Sequence, residues 1–268
     1  MSKDLTNFQQ IALRNVIGLV LAILLIKITK TAISVKSVNK KHLIRFGIAF
    51  PIAVIFFTYS LVQTKIILGI FAFYVGSILT SLLIGIYVFK EELDANKIVS
   101  LVLALIGLIL FVAPVGLNLI SRGIIYGVIG GFFDAVANSY RKYLSGKLDR
   151  LLLTTIPLIG GLIIALILMS VSNQEILPLV SLNGWIVGMI FGSLLFLVNY
   201  LSFIGFSNFE LNLGTLVVSS ELFFAPLFAL LVFGEKPLFN ELMGGLMIIF
   251  SIITSNINLL NSRLVKKV

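Results

Sequence analysis

Glu221 and Asp134 are the two acids, of eleven in the chain, that fall inside long apolar runs. Glu221 follows Ser219 and Ser220 within residues 212–235, a run long enough to cross a bilayer as a helix. A carboxylate at that depth costs at least a few kcal/mol, so it is expected to face a cavity or a partner rather than lipid. Such a group can bind a cation or exchange a proton. Pro226 follows it and is expected to loosen the helix as a hinge, because proline lacks a backbone donor. Asp134 lies about 18 Å along its run from Arg122, at about 1.5 Å per residue. Gly127, Gly131, Asp134 and Asn138 follow i, i+4, i+7, i+11 spacing and share one helix face.

Other polar side chains sit at similar depth. Asn199 and Tyr200 lie inside the run 183–206, and Tyr74, Ser77 and Thr80 inside 66–89. Amides and phenols there need hydrogen-bond partners, which a ligand or a neighbouring helix can supply. Arg14 near the start of the first run can snorkel to the surface, pair with an acid or hold a substrate carboxylate. Each acid likewise has a purely structural reading, neutral or paired with a nearby Ser, Asn or Tyr. The candidates for binding or coupling are thus Glu221, Asp134, Asn138, Asn199, Tyr200, Ser77, Tyr74 and Arg14, with Pro226 as hinge.

The elements that carry these residues are apolar helices. Of 268 residues, 59% are hydrophobic and 12% charged, against roughly a quarter charged in soluble domains. Nine spans are expected at 11–28, 43–62, 66–89, 97–115, 122–144, 151–171, 183–206, 212–233 and 240–260. The short alternating strands of a membrane barrel are missing from the pattern. No cleavable leader is expected from the polar first ten residues. Gly184, Gly188 and Gly192 form a small-residue ladder suited to helix packing, and Trp185 beside them marks a membrane interface.

Basic residues set the expected orientation. Fifteen of the 20 fall on one side: Lys27, Lys30, Lys36, Lys40, Lys41 and Arg45; Lys90 and Lys97; Arg141, Lys142, Lys147 and Arg150; Arg263, Lys266 and Lys267. Lys3, Arg14, Lys65, Arg122 and Lys236 fall on the other. The N-terminus is therefore expected outside the cell membrane and the C-terminus in the cytoplasm. The charge excess is read as topology, so no nucleic-acid partner is expected.

An internal repeat is legible. Val88-Phe89-Lys90-Glu91 recurs as Val232-Phe233-Gly234-Glu235, an offset of 144 residues (232 minus 88) that pairs Ser77 with Glu221. The two acidic turns fall on opposite sides of the expected topology, so the repeats are inverted, which places a substrate site near the midplane. The expected fold is an all-α polytopic membrane protein with nine helices in two inverted repeats. Residues 1–115 hold four helices, 122–262 hold five, and 263–268 form a basic cytoplasmic tail.

Several of these features together resemble the EamA-like branch of the drug/metabolite transporter superfamily. They are Arg14-Asn15, Phe89-Lys90-Glu91 with Gly107, Tyr140-Arg141-Lys142, and Pro226 with Phe233-Gly234-Glu235. The resemblance covers nearly the whole chain and implies a carrier of small metabolites, usually with ten helices. Two departures stand out. The family's first helix has no counterpart in these residues, as expected either of a nine-helix variant or of a sequence that lacks its N-terminal segment, and Ala225 stands where members often carry an acidic or polar residue before the proline. A lipid, a second copy or another subunit is expected to cover the groove left by the missing helix.

The chain has no cysteine, and its one histidine, His42, lies in a basic loop. There is no phosphate-binding glycine loop, no His-Glu metal cluster and no Ser-His-Asp set. No cofactor or metal is expected, and an enzyme or channel is disfavoured. The expectation is a secondary transporter of a small cationic or zwitterionic metabolite, with proton coupling open. The alternative is a non-transporting scaffold or accessory subunit.

Overall fold

A computed structural model describes residues 5–31, 38–64, 66–113, 122–175, 181–234 and 236–265 of the chain. Lys3, Lys36, Lys65, Glu235, Lys266, Lys267 and residues 114–115 of the expected fourth span lie outside them, as does the side chain of Ala225. The described residues form ten helices and no strand: α1 (Asn7–Ile28), α2 (Lys40–Gln63), α3 (Ile66–Tyr87), α4 (Ala95–Val112), α5 (Arg122–Leu144), α6 (Arg150–Val171), α7 (Leu182–Asn208), α8 (Leu211–Ser219), α9 (Glu221–Phe233) and α10 (Phe239–Val265).

Each expected span corresponds to one helix, except the eighth, which is interrupted and forms α8 and α9. Seven spans are long and apolar enough to cross a membrane, counting Leu211–Phe228 as one. The other two are α5 and α10. Helix α5 carries Asp134, Asn138, Ser139 and Arg141, which lower its hydropathy, and the apolar part of α10 among the described residues is Phe239–Ser255. The protein is therefore an all-helical, multi-pass membrane protein. Its outward surface agrees, for Leu231, Val171 and Leu182 are 80%, 75% and 76% exposed. Such faces suit hydrocarbon rather than water.

Local sequence explains where helices begin. Thr6 and Gln9 form a capping box at α1, with the Gln9 amide oxygen accepting from the Thr6 backbone at 2.8 Å. Asp94 caps α4 through the Lys97 N–H, and Asp149 caps α6 through the Leu151 N–H, both at 2.8 Å. Pro51 and Pro157 lie inside α2 and α6.

The helices gather into two compact units, Met1–Ile52 with Tyr140–Asn208, and Ala53–Ser139 with Phe209–Val268. In the first, α1 packs on α6 and α7 around Ala22, Leu158 and Phe196. The glycine ladder supplies the close approach: a Cβ added at Gly192 would lie 2.7 Å from Ile17, and one at Gly188 2.8 Å from Leu13. In the second, Tyr74, Ile78, Ala104, Leu108, Leu216, Leu222 and Ile248 form the core. Helices α4 and α10 meet backbone to backbone at Gly107 and Gly244, where a Cβ on either would sit 2.6–2.7 Å from the other's carbonyl oxygen. Between lipid-solvated helices no hydrophobic force favours association, so this close packing of small residues carries the cohesion.

Candidate functional site

Helices α3 and α5 cross in the second unit at their glycines. A Cβ at Gly131 would overlap the Phe73 carbonyl oxygen and come within 2.6 Å of the Ser77 nitrogen. A Cβ at Gly76 would lie 2.5 Å from the Val128 carbonyl oxygen. This contact brings two polar positions together. The Ser77 hydroxyl donates to Asp134 Oδ2 at 2.8 Å, and the Asn138 amide donates to the same oxygen at 3.0 Å. Ser77 and Asn138 are 0% and 1% exposed, and Asp134 is half-buried.

Glu221 stands one helix away. Its carboxylate accepts a hydrogen bond from the Tyr74 hydroxyl, the two residues lying 147 apart in sequence. Tyr74 is 3% exposed, so its hydroxyl requires such a partner. Glu221 itself stays exposed and opens α9, where the helix dipole favours negative charge. Tyr74 and Ser77 lie three residues apart on α3, so Glu221 and Asp134 meet the same stretch of that helix. Tyr74, Ser77, Asp134, Asn138 and Glu221 thus form one polar cluster, with Tyr74, Ser77 and Asn138 among the donors to its two carboxylates.

Two serines flank the break beside Glu221. The hydroxyls of Ser219 and Ser220 turn back to the carbonyls of Leu216 and Val217 at 2.7 and 2.6 Å. Such back-bonding weakens a helix only mildly, since Ser139 and Ser251 make the same bond inside α5 and α10. The sequence placed the weak point at Pro226. That residue instead lies buried within α9, one turn and more beyond the interruption.

Helix α8 is anchored at its other end by Glu91. One carboxylate oxygen accepts from the Leu211 backbone N–H at 2.6 Å, the other from the Asn212 side chain at 3.4 Å. The cap residue Glu210 makes no capping bond with its side chain. It pairs instead with Lys97 at 2.6 Å. The turn that presents Glu91 reverses through Lys90, whose φ is 58°, a left-handed conformation uncommon outside glycine.

The remaining candidates lie in the first unit. Asn199 Oδ1 accepts from an Arg141 guanidinium nitrogen at 2.9 Å, and its amide donates to the Leu195 carbonyl at 2.9 Å. Arg141 is 5% exposed, with its guanidinium 4.8 Å from the Phe50 ring centre. Tyr200 stacks on Phe196 at 6.2 Å. Arg14 donates to the Gln10 carbonyl of its own helix at 3.2 Å.

Two of these roles were not read from sequence. Arg141 and Glu91 enter the sequence reading as charge and motif residues, without a partner. The buried amide of Asn199 is the signal for a donor such as Arg141, and Glu210, which makes no side-chain cap, leaves the start of α8 to Glu91.

Comparison with known proteins adds the following. The profile of the EamA-like transporter family matches residues 121–257, which is 137 of 268 positions (257 minus 120). No curated protein matches the chain. A solved structure described as "Crystal structure of protein" superposes with a TM-score of 0.76, covering 94% of this chain and 89% of that one at 13% identity. At that identity the likeness speaks for the fold alone.

Proposed function

The chain belongs to the EamA-like transporter family, and from that premise we propose a secondary transporter that moves a small cationic or zwitterionic metabolite by alternating access. The observation that carries this reading is the polar cluster on α3, α5 and α9. Two carboxylates at membrane depth, held by Tyr74, Ser77 and Asn138, form a site that a cation or a proton can neutralise. One carboxylate serving both is the simplest coupling of proton to substrate. Discontinuous helices such as α8 and α9 commonly form carrier sites. The Ser220 break, with Pro226 beyond it, would let α9 tilt when Glu221 changes charge. Asn199, Tyr200 and Arg14 would hold the helices of the first unit.

Inverted repeats are part of the proposal. Lys90 and Gly234, one repeat apart, both take positive φ, 58° and 69°. The glycines where α4 meets α10 also have small counterparts at the same offset in sequence. Gly107 meets Gly244, and their counterparts Ser251 and Ser100 are likewise small and buried. On this reading the N-terminus lies outside the cell membrane and the C-terminus within. The chain has no cysteine, so single cysteines introduced near each end can report the side directly. Labelling of both from the same side would sink the orientation.

The deciding experiment is flux. Metabolites that raise the unfolding temperature of the detergent-purified protein are tested for uptake into proteoliposomes under an imposed proton gradient. Gradient-dependent uptake is expected. Absence of flux for every stabilising compound, with or without a gradient, favours the scaffold reading.

A further inference from the structure

In the first unit an apolar groove of about 430 Å³ runs between α2 and α6. Ile44, Gly47 and Ile48 line one wall, and Ile156, Gly160 and Ile163 the other. Its floor is the closest backbone approach of the two helices, because a Cβ added at Gly160 would overlap the Gly47 carbonyl oxygen. The rims stand clear, with Ile44 60% and Ile163 52% exposed.

One end of the groove is basic. The His42 ring packs 5.9 Å from Tyr140 and 4.9 Å from Tyr143, which sets the start of α2 beside the end of α5. The turn at residues 145–149 then leads straight into α6, so α2 and α6 begin at the same end. Lys40, Lys41, Arg45, Lys147 and Arg150 are exposed there. Lys41, Ile44 and Ile48 share one ridge by i, i+3, i+7 spacing, which puts Lys41 at the mouth of the groove. Asp149 is the acid of these two segments, and it is engaged as the α6 cap.

We propose that this groove binds one acyl chain of an anionic phospholipid, with the headgroup phosphate held by Lys40, Lys41 and Arg45. An apolar channel alone would accept any lipid tail. The basic mouth adds selection for negative charge at the depth where headgroups lie. Lysine and arginine at a helix start reach that depth with their charges while their stems cover apolar surface. The inference stands apart from the polar cluster on α3, α5 and α9, and its test needs no transport substrate.

The purified protein is titrated with phosphatidylglycerol and with phosphatidylcholine carrying identical acyl chains, and retained lipid is counted by native mass spectrometry. Phosphatidylglycerol should be retained several-fold over phosphatidylcholine. The combined variant K40Q/K41Q/R45Q should abolish that preference and leave phosphatidylcholine retention unchanged. Equal retention of the two lipids by the unaltered protein overturns the proposal. A second measurement uses the unaltered chain alone: phosphatidylglycerol with a photoactivatable acyl chain is cross-linked, and the labelled peptides are mapped. Labels on residues 43–48 or 156–164 are expected. Labels confined to other helices, or a protein dimer that closes this face to lipid, overturn it.

Discussion

The Tyr74 phenol on α3 donates its hydrogen bond to the carboxylate of Glu221, the first residue of α9. The bond joins residues 147 positions apart inside one compact unit, beside the interruption of the eighth span. A change of charge on Glu221 would alter that bond and the start of α9 together.

Glu221→Gln keeps the size of the side chain and removes its charge. Transport should fall sharply while expression and folding persist. Uptake measured across a pH series should lose most of its pH dependence. A variant with normal uptake and an unchanged profile would make Glu221 structural and move the role to Asp134.

Tyr74→Phe deletes one donor and leaves the aromatic packing in place. A hydrogen bond to a charged group typically contributes about 1.5–3 kcal/mol, which is the loss expected here. Thermal unfolding in detergent reads that loss. The double variant with Glu221→Gln should lose less than the sum of the singles, because both changes break the same bond. Strict additivity would contradict the coupling.

Gly131→Ala places a methyl where the Phe73 carbonyl oxygen already sits. The α3–α5 crossing must open, at about 1–3 kcal/mol for overpacking. Ser77 should move from Asp134, so uptake should drop with stability. Gly205→Ala is the control: nothing lies within 4 Å of its added Cβ. Its helix should gain up to about 1 kcal/mol from the better helix former. Equal unfolding temperatures for the two variants would refute the crossing.

Glu91→Ala removes the carboxylate that caps α8. Loss of an N-cap typically costs about 1 kcal/mol, and the buried Leu211 N–H would be left without its acceptor. Glu91→Gln retains an acceptor oxygen and should recover part of the difference. Hydrogen exchange at residues 211–214 should rise in the alanine variant. Unchanged exchange there would show that α8 holds its start without Glu91.

The helices were legible in the sequence because each rests on local information. The expected span 122–144 has the same bounds as α5, and 151–171 differs from α6 by one residue. Hydropathy over about twenty residues reports whether a segment can cross a bilayer, whatever it packs against. The membrane class followed from that, and the family from the order of its motifs. The interruption at Ser220 was not legible. Proline announces a weak helix by its chemistry, whereas serines that bond back to a carbonyl also sit inside unbroken helices such as α5 and α10. The partners of the polar residues were equally hidden. Tyr74 and Glu221 are 147 positions apart, and Glu91 lies 120 from the N–H it caps. Their meeting depends on how closely α3 packs on α8, where Gly85 leaves room for the Glu91 carboxylate and the Asn212 amide, a property of packed helices that no single segment encodes. Residue type set the requirement for a partner, and tertiary packing alone decided which partner met it.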